Sequence, residues 1–336
     1  MADILDGEDA VEPEEATMDA SKPIRIPPVT IKPVPTAGSA QPETQQPKMV
    51  TQASTEGTSK EAWRFDIKDT GLKAVVAGRT IGGPKHLTHK GNQLNDDTLL
   101  VDPSIQLLAV FDGVSNSEGP TGDFRPKGGR LASAYAKDAL DAEYRISGNL
   151  EGSVNITQDR LLAEVRREGS EVGSTTLTAV SISGGTATFS NVGDSPSFLI
   201  RGGKVTRVGH LDNDPKEPTN LSQCLGNPEK AEIVVNTSFV QIEKGDYIVL
   251  GTDGVEKLAL TAQEANALAL DPTKAKRVAI TDYARQKNPD RTLAFDIDVV
   301  LEALAKEGAS PQDIVEMLLK SAAGTDDKTA VVAEIQ

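Results

Sequence analysis

The sequence predicts an α+β fold in which antiparallel sheets stack face to face and helices lie outside them. Three observations lead there. Strand-like runs follow one another across very short glycine turns. Helical runs come in neighbouring pairs, at 128–142 with 156–167 and at 296–306 with 311–322. Strands and helices do not alternate, which disfavours a doubly wound parallel sheet.

Period-two or wholly apolar runs mark strands at 73–78 (KAVVAG), 97–101 (DTLLV) and 106–111 (QLLAVF). Others fall at 175–183, 186–192, 197–201, 239–242, 246–251 and 328–335. Gly184-Gly185 and Gly202-Gly203 each separate two such runs, the signature of a two-residue hairpin. In the helical stretches apolar residues recur every three to four positions. The run at 311–322 has Ser310 as its expected N-cap and Pro311 at its first position. A further helix is expected over 261–284, reached directly from VEKLALTAQEA.

The chain has 336 residues, enough for one large domain or two small ones. Lys and Arg number 35 against 50 Asp and Glu, a formal charge of -15. Such a surface opposes broad binding to nucleic acid or anionic membrane, because phosphate neutralisation needs basic patches. Cys224 is the single cysteine, which excludes an intrachain disulfide and a cysteine-based zinc site. With no basic-then-apolar leader and no apolar run near 18 residues, a cytoplasmic protein is expected.

Residues 1–60 differ in kind. The first twenty carry many acids and no Lys or Arg, and prolines stud SKPIRIPPVTIKPVP. This composition buries too little apolar surface to offset the entropy of ordering, so a disordered tail is expected ahead of a domain spanning 61–336. Within it, IRIPPVTIKPVP has the alternation that could add a strand to a docking partner's sheet edge.

Two apolar runs end on Asp-Gly, LLAVFDGV at 107–114 and YIVLGTDGV at 247–255. Asp-Gly is a common hairpin turn, but a hairpin needs a strand directly after the glycine. A polar loop follows Asp112-Gly113, and a helix start is expected after Asp253-Gly254. Asp96-Asp97, Asp194 and Asp326-Asp327 also fall at expected strand ends. Antiparallel strands could gather these ends at one edge. Two carboxylates about 4 Å apart repel by roughly 4 kcal/mol at an effective dielectric of about 20, so such a cluster calls for cations. An all-oxygen set points to hard ions, Mg2+ or Mn2+. A glycine after Asp112 would also let its carbonyl approach a metal closely.

In this order the motifs resemble those of the PP2C (PPM) family of metal-dependent protein serine/threonine phosphatases. NDDTLLV is similar to the family's Asn-Glu-Asp-Ala element, LLAVFDGV to its first Asp-Gly, and GSTTLTAVSI to its Gly-Ser-Thr-Ala strand. FSNVGDSPSFLIRGGKVTRV resembles the Asn-x-Gly-Asp-Ser-Arg hairpin, and LSQCLG, GDYIVLGTDGVEKL and DDKTAVV complete a series covering about 65–336. The resemblance implies a four-layer α-β-β-α sandwich of two antiparallel sheets flanked by helices. It also implies hydrolysis of phosphoserine and phosphothreonine in phosphorylated proteins by hydroxide activated between two Mn2+ or Mg2+ ions. By the same resemblance Asp112 bridges the ions and the Gly113 carbonyl completes one coordination sphere. Asp253 and Asp326 hold the other ion, Asp326 being preferred to Asp327 because Thr329 then stands at the family's spacing. Asp96 and Asp97 order metal-bound water or ligate weakly, and Asp194 joins Asp253 around a third, looser ion.

Three positions depart from the pattern. Asn92 stands where the family usually has a phosphate-gripping arginine, with Arg79, Lys85, His86, His89 and Lys90 as nearby substitutes. Val114 stands where many members have histidine, and Lys257 where an acid is common, leaving Glu256 one position away. These departures support a second expectation, a catalytically weak or inactive member that binds phosphoproteins as a scaffold. His210 and Cys224 are expected to be structural, and DNDPKEP lacks the central glycine and closing glutamate of a calcium loop.

Overall fold

Thirteen strands and five α-helices of two or more turns or close to it are built by the residues that a computed structural model describes: 62–83, 95–114, 118, 121–123, 125–213, 221–230, 232–275 and 289–336. The chain divides into two units, Met1–Gln52 and Ala53–Gln336, and every described residue lies in the second. The expected tail at 1–60 therefore falls outside the described residues, as do Asn92 and its neighbours Lys85, His86, His89 and Lys90.

One sheet has six strands in the order β1 (Trp63–Asp66), β2 (Lys73–Ile81), β13 (Lys328–Ile335), β10 (Tyr247–Gly251), β7 (Ser197–Arg201), β8 (Lys204–Val208). The other has five: β3 (Thr98–Asp102), β4 (Leu107–Phe111), β5 (Leu177–Ser183), β6 (Thr186–Val192), β9 (Asn236–Gln241). All pairings are antiparallel. A two-stranded ribbon joins β11 (Lys257–Thr261) to β12 (Arg291–Asp296).

Strand alternation assigns the layers. In β4, Leu108 and Val110 enter the core between the sheets with Val180, Phe189, Ile248, Leu250 and Val331. Leu107, Ala109 and Phe111 point the other way, onto α1 (Gly128–Ser147) and α2 (Leu150–Arg166), where Ala132, Ala136, Leu140 and Leu161 meet them. That is why the run is apolar at every position: both of its faces are covered. On the far side, Phe198, Val249 and Val332 pack against α4 (Ile297–Lys306) and α5 (Pro311–Ser321) through Leu301, Ile314 and Leu318. The result is the expected α-β-β-α sandwich.

Local chemistry agrees at the turns and caps. Gly184 and Gly185 have φ of 55° and 78°, and Gly202 and Gly203 have 57° and 73°, the left-handed pairs that a tight hairpin requires. Ser310 Oγ accepts from Asp313 N while the Asp313 carboxylate accepts from Ser310 N, a capping box with Pro311 in the first turn.

The region after Asp253 is a correction. A helix start was expected, but β11 follows almost at once, and it pairs with β12 rather than folding back on β10. The long helix expected over 261–284 is α3, Ala262–Ala267 only. Ala269 turns left-handed at φ 49° and Pro272, lacking an N–H, cannot extend an α-helix arriving from Leu268. Residues 276–288 lie outside the described set. β1, β11 and β12 had not been expected.

Candidate functional site

The strand registers carry five of the singled-out carboxylates to one edge of the sandwich. Thr98 pairs with Phe111, so Asp97, just before β3, stands beside Asp112, just after β4. In the other sheet Gly251 pairs with Ala330, and beyond that pair Thr252 N donates to the Thr329 carbonyl at 3.1 Å. Asp253 and Asp326 flank that crossing, and Asp194 lies in the turn from β6 to β7.

Electrostatics shows which of them face one another. Burial holds the Asp112 carboxyl well above the ordinary carboxylate range, and Asp97, Asp253, Asp326 and Asp194 each push it further up. Asp97 is raised by burial first and by Asp327 next. The Thr329 and Thr252 hydroxyls pull it down, and Asp253 raises it again. Asp194 is pushed up to about 7 by burial, by Asp253 and by Glu256. Asp96 is buried and tied in by its backbone, its N–H donating to Asp327 and its carbonyl accepting from Ser133 Oγ at 2.6 Å.

Asp326 and Asp327 have different surroundings. The Asp327 carboxylate is buried and accepts from Gly83 N and Asp96 N, both at 2.6 Å, stapling three chain segments. Asp326 accepts from Asp327 N at 3.1 Å and is among the acids that most strongly raise Asp112.

The two Asp-Gly glycines serve the crossing of these segments. A Cβ on Gly113 would stand 2.5 Å from the Asp96 carbonyl oxygen and from the Gly129 backbone at the start of α1. A Cβ on Gly254 would stand 1.8 Å from the Asp327 carbonyl oxygen. The sequence-level reason for Gly113, access of its carbonyl to a metal, is thus joined by a packing demand that suffices alone. Asp253-Gly254-Val255 forms a single 3-10 turn, not a hairpin.

The donors fit a hard divalent cation by type and charge. They are all oxygen, and the Asp97 carboxylate is 5% exposed with Oδ2 accepting from two hydroxyls and Oδ1 lacking any partner. Among the described residues no three His, Cys, Asp or Glu side chains stand as a ready-made chelate, so mutual charge rather than a closed cage defines the cluster. Of the alternative cations, Arg79 is committed to Glu316, with Nη1 3.1 Å from both carboxylate oxygens. Arg207 is stacked on Phe198 and donates to Glu256 at 3.0 Å. Cys224 is buried and its thiol is pushed up to about 11 by that burial, which suits packing. His210 is exposed. Asp212, in the rejected calcium loop, instead accepts from Gly193 N, Gln223 and Asn236. Sequence reasoning used Thr329 only as a spacing marker and missed its bond to Asp97, together with Thr252 and the stapling role of Asp327, although a threonine directly before Asp253-Gly254 was there to be noticed.

No protein-family model matches the chain. Among curated proteins, protein phosphatase 2C 24 of Oryza sativa subsp. japonica is 25% identical over 226 residues, 64% of this chain and 67% of its own. Protein phosphatase 2C 17 of Arabidopsis thaliana is 25% identical over 224 residues, 55% of this chain and 74% of its own. Among solved structures, the S. agalactiae serine/threonine phosphatase superposes with a TM-score of 0.54 at 14% identity, covering 78% of this chain and 100% of that one. The PPM Ser-Thr phosphatase MsPP from Mycobacterium smegmatis, solved with cacodylate, gives 0.50 at 23% identity, covering 77% and 97%. These two likenesses establish the fold. The two curated relatives and the ordered motifs from Asp96 to Thr329 make the chain similar in sequence to PP2C (PPM) phosphatases.

Proposed function

We propose that this protein is a Mn2+- or Mg2+-dependent phosphatase that hydrolyses phosphoserine and phosphothreonine in proteins. The observation that carries the reading is the convergence of Asp97, Asp194, Asp253 and Asp326 on Asp112, five acids on one edge, with burial and these four carboxylates as the largest influences on Asp112. In this reading Asp112 and the Gly113 carbonyl, with Asp253 and Asp326, hold two cations, and Asp194 with Asp253 favours a third. When bound, such a pair makes hydroxide available near neutral pH and stabilises charge on the phosphoryl group. The chain's own residues do the positioning. Asp327 fixes the backbone at Gly83 and Asp96, Thr252 and Thr329 hold Asp97, and Thr176 N and Thr175 Oγ1 donate to the Asp112 carbonyl, both at 2.8 Å. No serine, cysteine or histidine nucleophile enters this scheme.

The test is turnover of a phosphopeptide with and without Mn2+, repeated with Asp112→Asn and Asp253→Asn. Turnover that needs the metal and falls at least a hundredfold in both variants is expected. Metal-independent turnover, or none from well-folded protein, overturns the reading. Val114, with its N–H spent on the Ser174 carbonyl at 2.9 Å and an apolar side chain, favours a second reading: a scaffold that binds phosphoproteins without hydrolysing them. Phosphopeptide binding without turnover is its signature.

A further inference from the structure

We propose that Thr252 and Thr329 are positioning residues that tie off one oxygen of Asp97, so that this carboxylate offers a single oxygen to the cation site and favours compact octahedral ions over calcium. The inference rests on the cation-binding reading above. Its ground is the asymmetry of the Asp97 carboxylate. Oδ2 accepts from Thr329 Oγ1 at 2.8 Å and from Thr252 Oγ1 at 2.9 Å, while Oδ1, equally buried, has no partner. Both threonines are themselves fully buried and are aimed by neighbours. Thr252 Oγ1 accepts from Thr329 N at 3.1 Å, which turns its proton toward Asp97. Thr329 Oγ1 lies 2.7 Å from Thr80 Oγ1, which in turn accepts from Asn95 Nδ2 at 2.7 Å.

Two hydroxyls on one oxygen exceed what cross-linking β10 to β13 requires, because the backbone already makes that link from Thr252 N to the Thr329 carbonyl. Their effect is on denticity. A carboxylate free to swivel can present both oxygens, which calcium accepts readily given its larger radius and six to eight ligands. With Oδ2 held, only Oδ1 is on offer. Mg2+ and Mn2+ take single oxygens from each of several donors, so the constraint costs them little.

Isothermal titration of the full chain with Mn2+ and with Ca2+ tests this. Thr329→Val removes one hydroxyl without disturbing an N–H partner, and Thr252→Val with Thr329→Val removes both. Mn2+ affinity should fall about tenfold in the double variant, the usual cost of losing a supporting hydrogen bond behind a metal site. Ca2+ affinity should fall less, so the Mn2+ preference shrinks, and Thr329→Ser should restore the wild-type ratio. An equal loss for both ions, an unchanged Mn2+ affinity, or a serine variant that behaves like the valine one would overturn the proposal. If the double variant does not fold, Thr329→Val alone decides, with a smaller shift in the same ratio. Wild-type protein that binds no Mn2+ overturns the cation-binding reading itself, whereas wild-type binding with unaltered valine variants refutes only the role of the threonines.

Discussion

Gly254 and Asp327 cross so closely that a Cβ on the glycine would stand 1.8 Å from the aspartate's carbonyl oxygen. The obstacle is backbone, so no rotamer change relieves it. Gly254→Ala must push the start of β13 away from the Asp253 turn, and with it Asp326. A cost of about 3 kcal/mol, the upper end for forced overpacking, is expected in urea unfolding. For a domain of this size it should lower the melting temperature by roughly 6–12 °C. Gly83→Ala, whose Cβ would meet the Asp326 carbonyl at 2.0 Å, should behave alike. By contrast Gly122→Ala, with nothing within 4 Å but a φ of 75°, should cost only about 1 kcal/mol.

Adjacent aspartates should separate stability from cation binding. Asp327→Asn replaces a buried acceptor of two backbone N–H groups with a group that can offer only one oxygen. Charged acceptors of this kind contribute about 1.5–3 kcal/mol per bond, so a loss of about 2 kcal/mol in unfolding free energy is expected. Asp326→Asn removes a charge that raises Asp112 and should leave the cation-free protein equally or more stable. Its loss should appear in Mn2+ affinity. Paired calorimetric and denaturant titrations of the two variants check the separation, and a reversed pattern would exchange the roles of the two residues.

How much of this was legible follows from range along the chain. The sandwich strands were visible because alternation and Gly-Gly turns are local: 186–192, 197–201 and 328–335 are recovered to the residue as β6, β7 and β13. β11 was hidden because KLALTAQEANALAL is rich in good helix formers, and its partner β12 starts thirty residues later. The stop at Asp271-Pro272 was readable and overlooked. Strand-end acids could be named from sequence, but which of them meet depends on register between segments far apart. Asp97 and Thr329 are 232 positions distant, and nothing in local composition joins them. The packing demands on Gly113 and Gly254 are equally non-local.

Asp112→Asn should trade cation response for cation-free stability. The carboxylate is buried among four other acids, so an amide relieves both desolvation and repulsion. A cation-free gain of about 1–2 kcal/mol is expected, of the size seen when strained functional groups are neutralised. Wild-type protein should gain about 2.7 kcal/mol from Mn2+ held a hundredfold above its dissociation constant, and the variant almost nothing. Thermal melts with and without Mn2+ check both signs. A cation-free variant less stable than wild type would show that the Asp112 charge is not under strain.

The cation response should also depend on pH, with a defined sign. Asp97 and Asp112 are raised and Asp194 is pushed up to about 7, against about 3.9 in an unfolded chain. Between those values the folded, cation-free protein binds more protons than the unfolded one. Its stability from these groups is therefore fully present below about pH 4 and is lost as pH rises toward 7. A divalent cation needs the same oxygens deprotonated, so it competes with protons at low pH and meets ready carboxylates at neutral pH. The rise in melting temperature on adding Mn2+ should accordingly be small near pH 5 and reach roughly 5–10 °C near pH 7.5. Taking the difference at each pH cancels carboxylates elsewhere, such as Glu164, which Arg167 holds below the ordinary range. A rise of equal size at both pH values would mean that protons and cation do not compete at this edge, and the clustering of charge around Asp112 would lose its functional meaning.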